Sequence, residues 1–293
     1  MDLVNTRHMR FIGIILISIT TFFLFSGCEK DNGQEIPSYI HISSFDLVGN
    51  ENVDEGSLSH NITDAWVYVN NKFIGVFELP STFPVLDKGS STILIKPGIK
   101  MNGIASTRIP YPFYTDFTAE GVMLEKEKTD TLHPVVQYND SIQMPLHESF
   151  EDSSLSLRSK ESDTTLLIDH MNPFEGSGSG KIVLEGENIL YEAISDTSYT
   201  LPIQGKYVFL ELDFKTNIEV NTGLYEVKNE GEFQKPVVIL NPTEQWKKIY
   251  INLTNIIGSS YPTRNFKVYL NIFRQDEQAA EVYLDNLKVI HFK

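Results

Sequence analysis

The chain has 293 residues, and 24 Lys and Arg against 39 Asp and Glu give it a net charge of −15. Hydrophobic residues make up 41% and charged residues 22%, a globular composition that excludes a wholly disordered protein. The negative charge excludes nucleic-acid binding driven by phosphate contacts, and a single cysteine excludes an intramolecular disulfide or a cysteine-rich metal cluster. The length fits one large domain or two ordinary ones.

The N-terminus predicts export. Residues 11–25 form an uncharged apolar run that follows Arg7 and Arg10. A helix of this length spans about 22 Å, less than the ~30 Å hydrocarbon core of a bilayer, so a transmembrane anchor fits poorly. A basic segment followed by a short apolar run is typical of a signal peptide.

Residues 25–28 (FSGC) resemble a bacterial lipobox, in which the cysteine is lipidated and becomes the first residue of the mature protein. The resemblance implies a signal peptide over residues 1–27, a lipid on Cys28 and a tether over residues 28–37. An ordinary signal peptide with a chance cysteine is the alternative. Residues 29–32 (EKDN) resemble the export signal of Bacteroidetes-type surface lipoproteins, which implies an outer-membrane protein exposed at the cell surface.

Residues 38–143 form a first block in which apolar and polar residues alternate, as in strands. Residues 65–69 and 72–77 predict a β-hairpin turning at Asn70 and Asn71, because Asn tolerates the positive φ of a tight turn. Residues 108–114 (RIPYPFY) carry two prolines, so they predict an edge strand or an extended loop with exposed aromatic side chains.

Residues 144–293 form a second block of short strands separated by Gly, Asn and Pro turns, which predicts an all-β sandwich. The predicted strands are residues 181–184, 189–193, 207–215, 224–227, 236–240, 247–253, 266–273 and 282–291. Helical periodicity is nearly absent after the signal, and residues 275–281 are predicted as a loop. Residues 139–145 are polar with a proline, as linkers are, and mark the expected boundary between two domains.

Four stretches of the second block resemble the jelly-roll, galactose-binding-like modules that include many carbohydrate-binding domains. They are residues 147–152 (HESFED), 178–181 (GSGK), 245–253 (QWKKIYINL) and 282–289 (VYLDNLKV). The resemblance implies a jelly roll, and at the matching positions Glu151 and Asp285 it implies a structural calcium ion. The alternative is that both are ordinary polar residues at strand ends. The resemblance also implies that Trp246 packs structurally.

The first block resembles a PEGA-like or immunoglobulin-like module over residues 67–75 (VYVNNKFIG) and 87–89 (DKG), which implies scaffolding. Residues 130–132, 140–142 and 163–165 resemble the Asp-Ser/Thr-apolar motif of O-glycosylation in the same bacteria. That resemblance implies modification of Thr131, Ser141 and Thr164.

The sequence contains no assembled catalytic motif. Its seven histidines are never within five residues of one another, so an HExxH zinc pattern is excluded. Residues 176–180 (GSGSG) lack the spacing of a nucleophile elbow or a phosphate loop and predict a turn. A hydrolase with dispersed carboxylates would need a deep acidic cleft and a carboxyl group of raised pKa.

Exposed aromatic side chains are the candidate contact residues, because they stack on sugar rings or dock into protein grooves. Four of them lie beside prolines: Tyr111, Phe113, Tyr114 and Tyr261. Packing under a loop is the alternative for each. Trp66, which alternates with Tyr68 on one strand face, is expected in the core.

We therefore expect an all-β protein of two β-sandwich domains, a small Ig/PEGA-like domain (38–143) and a jelly roll (144–293), after a lipoprotein signal peptide. The expected function is non-catalytic: an interaction or scaffold subunit that binds an outer-membrane β-barrel protein or other surface lipoproteins. The alternative is glycan binding for polysaccharide uptake, which a planar row of exposed aromatic side chains on one face of the second block would favour and a bare polar face would oppose. No cofactor is expected beyond the possible calcium ion, and no nucleic-acid partner.

Overall fold

Strands form nearly all of the regular structure in residues 36–203 and 205–293, which the computed structural model describes. The predicted signal peptide, Cys28 and the tether up to residue 35 lie outside the described residues. Within the described part, no helix is long and apolar enough to cross a membrane. Its one assigned α-helix, α1 (Thr254–Ser259), is a six-residue segment between two strands.

The first block contains ten strands. They are β1 (Ser38–Ile42), β2 (Asp46–Leu47), β3 (Asp64–Val69), β4 (Lys72–Glu78), β5 (Ser81–Val85), β6 (Gly89–Lys100), β7 (Arg108–Pro110), β8 (Phe117–Leu124), β9 (Thr129–Leu132) and β10 (Val135–Val136). Sheet I has the order β4-β3-β6-β7, with β8 also paired to β6, and sheet II has the order β5-β1-β9. Strands β2 and β10 form a separate parallel pair. The architecture is a small sandwich, as the sequence predicted.

The β3–β4 hairpin confirms the turn prediction. Asn70 and Asn71 have φ values of 49° and 65°, the left-handed conformation that the two-residue turn requires. In β3 the alternate residues Ala65, Val67 and Val69 face the core. The expectation that Trp66 is a core residue was wrong, because strand alternation turns it to the outward face of sheet I beside Phe73, at 5.9 Å between ring centroids.

The second block contains twelve strands. They are β11 (Ile142–Glu148), β12 (Leu157–Ser162), β13 (Leu167–Asp169), β14 (Ser179–Leu184), β15 (Leu190–Ser195), β16 (Tyr199–Thr200), β17 (Val208–Thr216), β18 (Val220–Lys228), β19 (Gly231–Leu240), β20 (Thr243–Asn252), β21 (Asn265–Phe273) and β22 (Ala280–Phe292). All eight predicted strands are present. Of the loop predicted over residues 275–281, residues 275–279 are a loop, whereas residues 280–281 begin β22. The segment predicted as a linker, residues 139–145, instead contains the start of β11.

The strands of the second block form two packed sheets, so the fold is a β-sandwich with jelly-roll character. Sheet III has the order β13-β14-β22-β17-β20, with β11 also paired to β22. Sheet IV has the order β12-β15-β21-β18-β19, with β16 also paired to β21. A core of Leu, Ile, Val and Phe side chains fills the space between the sheets.

The first block packs against the outward face of sheet III. Its buried core continues into the second block through Phe209, Tyr250 and Ile290, which all project from sheet III. The described chain from Pro37 to Lys293 accordingly forms one compact unit. Division into domains at residue 143 stays a prediction, because a shared core does not define where each part would fold alone.

The exposure expected for the proline-rich loop was wrong. Tyr111, Phe113 and Tyr114 are 2%, 0% and 4% exposed, because they fill the junction between the two blocks. The ring of Tyr111 lies 5.4 Å from that of Phe209 and 4.8 Å from that of Tyr250. The sequence shows that this loop is apolar, but not that a second block covers it.

Candidate functional site

The outward face of sheet IV is the side of the sandwich opposite the first block, and its residues depart from a plain polar surface. In β21, Val268 and Leu270 face the core, so alternation places Lys267, Tyr269 and Asn271 outward. The neighbouring strands β15 and β18 add further outward residues, which are Glu192, Ile194 and Tyr225.

Two tyrosines and an isoleucine form a small apolar cluster on this side of sheet IV, and all three are largely buried: Tyr225 is 7% exposed, Tyr269 1% and Ile194 0%. The rings of Tyr225 and Tyr269 have centroids 5.2 Å apart at an interplanar angle of 58°, and both contact Ile194. Tyr225 Oη donates a hydrogen bond to Glu192 Oε1 at 2.8 Å, and Asn271 Nδ2 donates one to Glu192 Oε2 at 3.0 Å. Both oxygens of Glu192 are therefore engaged, which fixes the carboxylate beside the rings.

Two lysines border the cluster. Lys160 Nζ lies 3.7 Å from the centroid of the Tyr225 ring, 3.8 Å from Glu192 and 3.4 Å from Glu232. Lys267 Nζ pairs with Glu232 at 2.9 Å. The Lys160 ammonium group thus covers one face of the aromatic ring, and a ligand that stacks there must displace it.

The tyrosines remain protonated at neutral pH. Burial and then the hydrogen bond to Glu192 raise the pKa of Tyr225 above its usual value. Burial and the nearby Glu192 charge raise the pKa of Tyr269 to about 12. These groups are consequently hydrogen-bond donors rather than bases or nucleophiles. Tyr225 is the most exposed of the three cluster residues, and Lys160 lies over its ring.

A buried charge network lies between the two blocks. Glu211 accepts hydrogen bonds from Tyr111 Oη at 2.5 Å and Tyr138 Oη at 2.9 Å, and it pairs with Lys248 at 3.4 Å. Burial opposes the charged form of Glu211, but Lys248, Lys288 and the hydroxyl groups outweigh burial and lower its pKa. This network holds the blocks together.

A hydrolase would need a carboxyl group of raised pKa, and Asp285 is such a group. Its pKa is raised to about 7, mainly by burial. It is 1% exposed. Its oxygens accept hydrogen bonds from the backbone N–H groups of Asn286 at 2.8 Å and Glu175 at 3.3 Å. Because the carboxyl group is turned into the protein, it does not face a substrate.

Glu151 and Asp285, the predicted calcium ligands, hold the same loop but do not complete a metal site. Glu151 accepts hydrogen bonds from the backbone of Ser177 and Gly178, so Glu151 and Asp285 both bind the loop over residues 175–178. The described residues contain no group of three His, Cys, Asp or Glu side chains arranged to hold a metal ion. Calcium takes six to eight oxygen ligands, so these two carboxylates alone are an incomplete site. The calcium ion stays a prediction.

The remaining predicted residues are distributed over the surface. Tyr261 is 69% exposed, in agreement with its expected position. Thr131 and Ser141 are exposed and Thr164 is half-buried, and their glycosylation stays a prediction. The sequence analysis missed Tyr225 and Tyr269. The signal for them is the strand register itself, in which aromatic residues occupy positions that alternate with the core.

Comparison with known proteins gives a likeness in fold. No family model matches the chain, and no curated protein matches it. Among solved structures, the C-terminal family 22 carbohydrate-binding module of Clostridium thermocellum Xyn10B is 15% identical with a TM-score of 0.38, over 51% of this chain and 93% of that chain. The CBM22-1 xylan-binding domain of Paenibacillus barcinonensis Xyn10C is also 15% identical, with a TM-score of 0.38, over 52% and 96%.

A third similar structure is the family 11 carbohydrate-binding module of Clostridium thermocellum in complex with a mixed-linked tetrasaccharide. It is 13% identical with a TM-score of 0.36, over 50% of this chain and 94% of that chain. At these values the likeness concerns the arrangement of strands.

Proposed function

We propose that the protein is a non-catalytic glycan-binding lipoprotein of the cell surface, which captures polysaccharide on the outward face of sheet IV. The observation that carries the proposal is the cluster of Tyr225, Tyr269, Glu192 and Asn271 on the side of the sandwich away from the first block. The predicted lipid on Cys28 would keep captured glycan at the membrane surface.

The side chains of this cluster match the surface of a sugar. A pyranose ring has apolar C–H faces that stack on aromatic rings, and hydroxyl groups at its rim that exchange hydrogen bonds with carboxylates and amides. Tyr225 supplies the stacking ring once the Lys160 side chain moves off it, while Glu192 and Asn271 supply the acceptor and donor beside it. Glu192 is positioned in advance by its hydrogen bonds, which lowers the ordering cost of binding.

The scaffold function that the sequence first favoured has lost its expected docking loop. Tyr111, Phe113 and Tyr114 are buried between the blocks, so they offer no surface to a β-barrel partner. Tyr261 remains exposed, but it is a single side chain. Glycan capture is therefore the function that the arrangement of side chains supports best.

The proposal is tested by affinity electrophoresis and calorimetry with soluble xylan, mixed-linked glucan and mannan as probes. Tyr225→Ala removes the central ring and should weaken binding about thirtyfold or more, because losing a central contact costs about 2 kcal/mol. Tyr207→Ala is the matched control, since Tyr207 is an exposed tyrosine outside sheet IV. Glu192→Gln tests the carboxylate while it keeps the ring.

The result expected for the wild type is retardation by at least one of these polysaccharides. Equal affinities of the Tyr225→Ala and Tyr207→Ala proteins would contradict the assignment to sheet IV. Failure of the wild type to bind any probe would contradict glycan capture itself.

A further inference from the structure

The half of sheet III that the first block leaves uncovered carries a second group of aromatic and charged side chains. Lys181, Tyr283 and Lys215 are direct cross-strand neighbours on β14, β22 and β17. Lys181 Nζ lies 4.9 Å and Lys215 Nζ lies 5.8 Å from the centroid of the Tyr283 ring. The two lysines therefore flank one aromatic ring on the outward face.

The ring of Tyr283 is the end of a row of three aromatic side chains. Its centroid lies 6.2 Å from that of Trp246, and the centroid of Trp246 lies 5.3 Å from that of Phe174. Trp246 is half-buried, Phe174 is 38% exposed and Tyr283 is 9% exposed. The three rings (the aromatic row: Phe174, Trp246, Tyr283) are tilted by 49° and 65° from one to the next, so they form a stepped surface on the face opposite the Tyr225 cluster and not the planar row expected of a glycan platform.

A cavity borders each end of the aromatic row. Beside Tyr283 lies a cavity of about 590 Å³, lined also by Lys215, Asn217, Pro242 and Thr243. Beside Trp246 and Phe174 lies one of about 230 Å³, whose wall includes His60 and Asn61 of the first block. The larger volume accommodates a sugar ring or two, and the row connects it to the smaller one.

Polar atoms in the larger cavity lack partners within the described residues. Thr243 Oγ1 is buried without a hydrogen bond to any described group. Lys215 forms no ion pair with another described residue, whereas Lys181 lies 3.8 Å from Glu281. Buried hydroxyl groups are normally hydrogen-bonded, so Thr243 Oγ1 is available to a water or to a ligand hydroxyl group in the cavity.

The charges around this cavity identify the class of sugar. Lys215 contributes one positive charge to the lining, and Glu244 and Glu281 contribute two negative ones. The net charge of −1 disfavours a uronate or a sulfated sugar. Carboxylates and ammonium groups side by side supply acceptors and donors to uncharged hydroxyl groups.

From these contacts we infer a second glycan-binding site, specific for uncharged sugar residues, along the aromatic row of sheet III. The inference rests on the proposed function for its ligand class, but on different residues for its site. Packed sheets are about 10 Å apart, and the two sites face opposite directions. A straight glycan chain contacts only one of the two sites. Each protein molecule therefore bridges two glycan chains, or two segments of one glycan chain.

The chain's two tryptophans allow a test that reports on this site alone. Trp66→Phe removes the tryptophan of the first block and leaves Trp246 as the sole tryptophan, which is excited selectively at wavelengths that tyrosine does not absorb. This protein is titrated with cellohexaose, xylohexaose and mannohexaose while Trp246 fluorescence and calorimetric heat are recorded. A saturable change in emission is expected with at least one of them, and it should persist in a Trp66→Phe/Tyr225→Ala protein.

Lys215→Ala identifies the cavity side of the site, and it should weaken the fluorescence-detected binding at least fivefold. Lys206→Ala is its matched control, because Lys206 is an exposed lysine just before the same strand. Calorimetric binding without any change in Trp246 emission would overturn the second site and leave the proposed function intact. Absence of heat and of emission change would overturn both.

Discussion

Asp285 shows at the scale of one residue how the fold opposes ionisation. Its pKa rises from 3.8 to about 7, mainly through burial, with Asp213 and Glu151 adding negative charge nearby. Between about pH 4 and pH 7 the folded protein holds a proton that the unfolded chain releases. Stability contributed by this group therefore falls as pH rises through that window, and the loss is complete above pH 7.

Asp285→Asn should stabilise the protein at pH 8 by about 1–3 kcal/mol, because the variant has no charge to bury. Near pH 4 the two proteins should be almost equally stable. The measurement is urea denaturation across this pH range with a chelator present, so that no calcium ion contributes. A variant less stable than wild type at pH 8 would show that the charge is compensated.

If calcium binds at Asp285, the charged carboxylate stabilises the fold at pH 8 instead of destabilising it. Wild type and Asp285→Asn also test this prediction. Added calcium should raise the melting temperature of the wild type at pH 8, since a bound cation stabilises the folded state by mass action. The Asp285→Asn protein should not respond. Equal responses of both proteins to calcium would refute a role for Asp285 as a ligand.

Glu211 is a buried acid between the two blocks, and its negative charge balances the positive charge of Lys248. Glu211→Gln keeps the shape of the side chain but leaves Lys248 with less opposing charge, so it should cost about 3–5 kcal/mol of stability. Glu244→Gln is the control, because Glu244 is exposed and its loss should change stability by less than about 0.5 kcal/mol. Chemical denaturation measures the free energy of unfolding of both variants. Equal values for Glu211→Gln and Glu244→Gln would contradict the stabilising role of the buried charge network.

At the scale of single elements, the β3–β4 hairpin shows what local sequence controls. Asn71 is exposed at φ 65° and donates no assigned side-chain hydrogen bond within the described residues, whereas Asn70 bonds Ser91 and Thr92. Asn71→Val should destabilise the protein by about 1–2 kcal/mol, because a β-branched residue fits the left-handed region poorly. Asn71→Gly should be neutral or stabilising, and thermal unfolding distinguishes the three proteins. A fully tolerated Asn71→Val would contradict the turn geometry.

Eight of the twelve strands of the second block were predicted from sequence, and β11, β12, β13 and β16 were not. The strands β13 and β16 have three and two residues, too short for alternation to be recognised. The helix α1 has six residues, buries one side chain and has no side-chain cap. Its sequence therefore contains neither the apolar stripe nor the capping residue by which a helix is recognised.

At the scale of the whole molecule, the second block depends on the first. Separated from it, residues 144–293 would expose Phe209, Tyr250 and Ile290 together with the buried charges of Glu211 and Lys248. We expect this fragment to aggregate, or to melt at least 10 °C below the longer protein, since exposed apolar patches promote association. Analytical centrifugation and calorimetry measure the two effects.

A fragment with polar residues in place of Phe209, Tyr250 and Ile290 should recover solubility, which separates the effect of exposure from a general failure to fold. A soluble, equally stable fragment without those changes would show that the blocks fold independently. It would also support a domain boundary near residue 143.

The packing of one block on the other was not predictable, and it explains why the loop over residues 108–114 was wrongly expected to be exposed. The sequence RIPYPFY (residues 108–114) is compatible with an exposed loop and with a covered one. Only the position of sheet III shows that this loop is covered. The Tyr225 cluster is different. Alternation within β18 and β21 already places both tyrosines on one face, so strand register together with sheet order would have brought them together.

The shared core sets an order in which the protein can be completed. Ile290 on the final described strand belongs to the same buried cluster as Ile40, so the core of the first block is incomplete until that strand has been made. A growing chain that lacks β22 contains a first block whose core is not yet covered by sheet III. Such a chain stays loosely folded during synthesis, which suits a protein whose N-terminus predicts that it crosses a membrane before it folds.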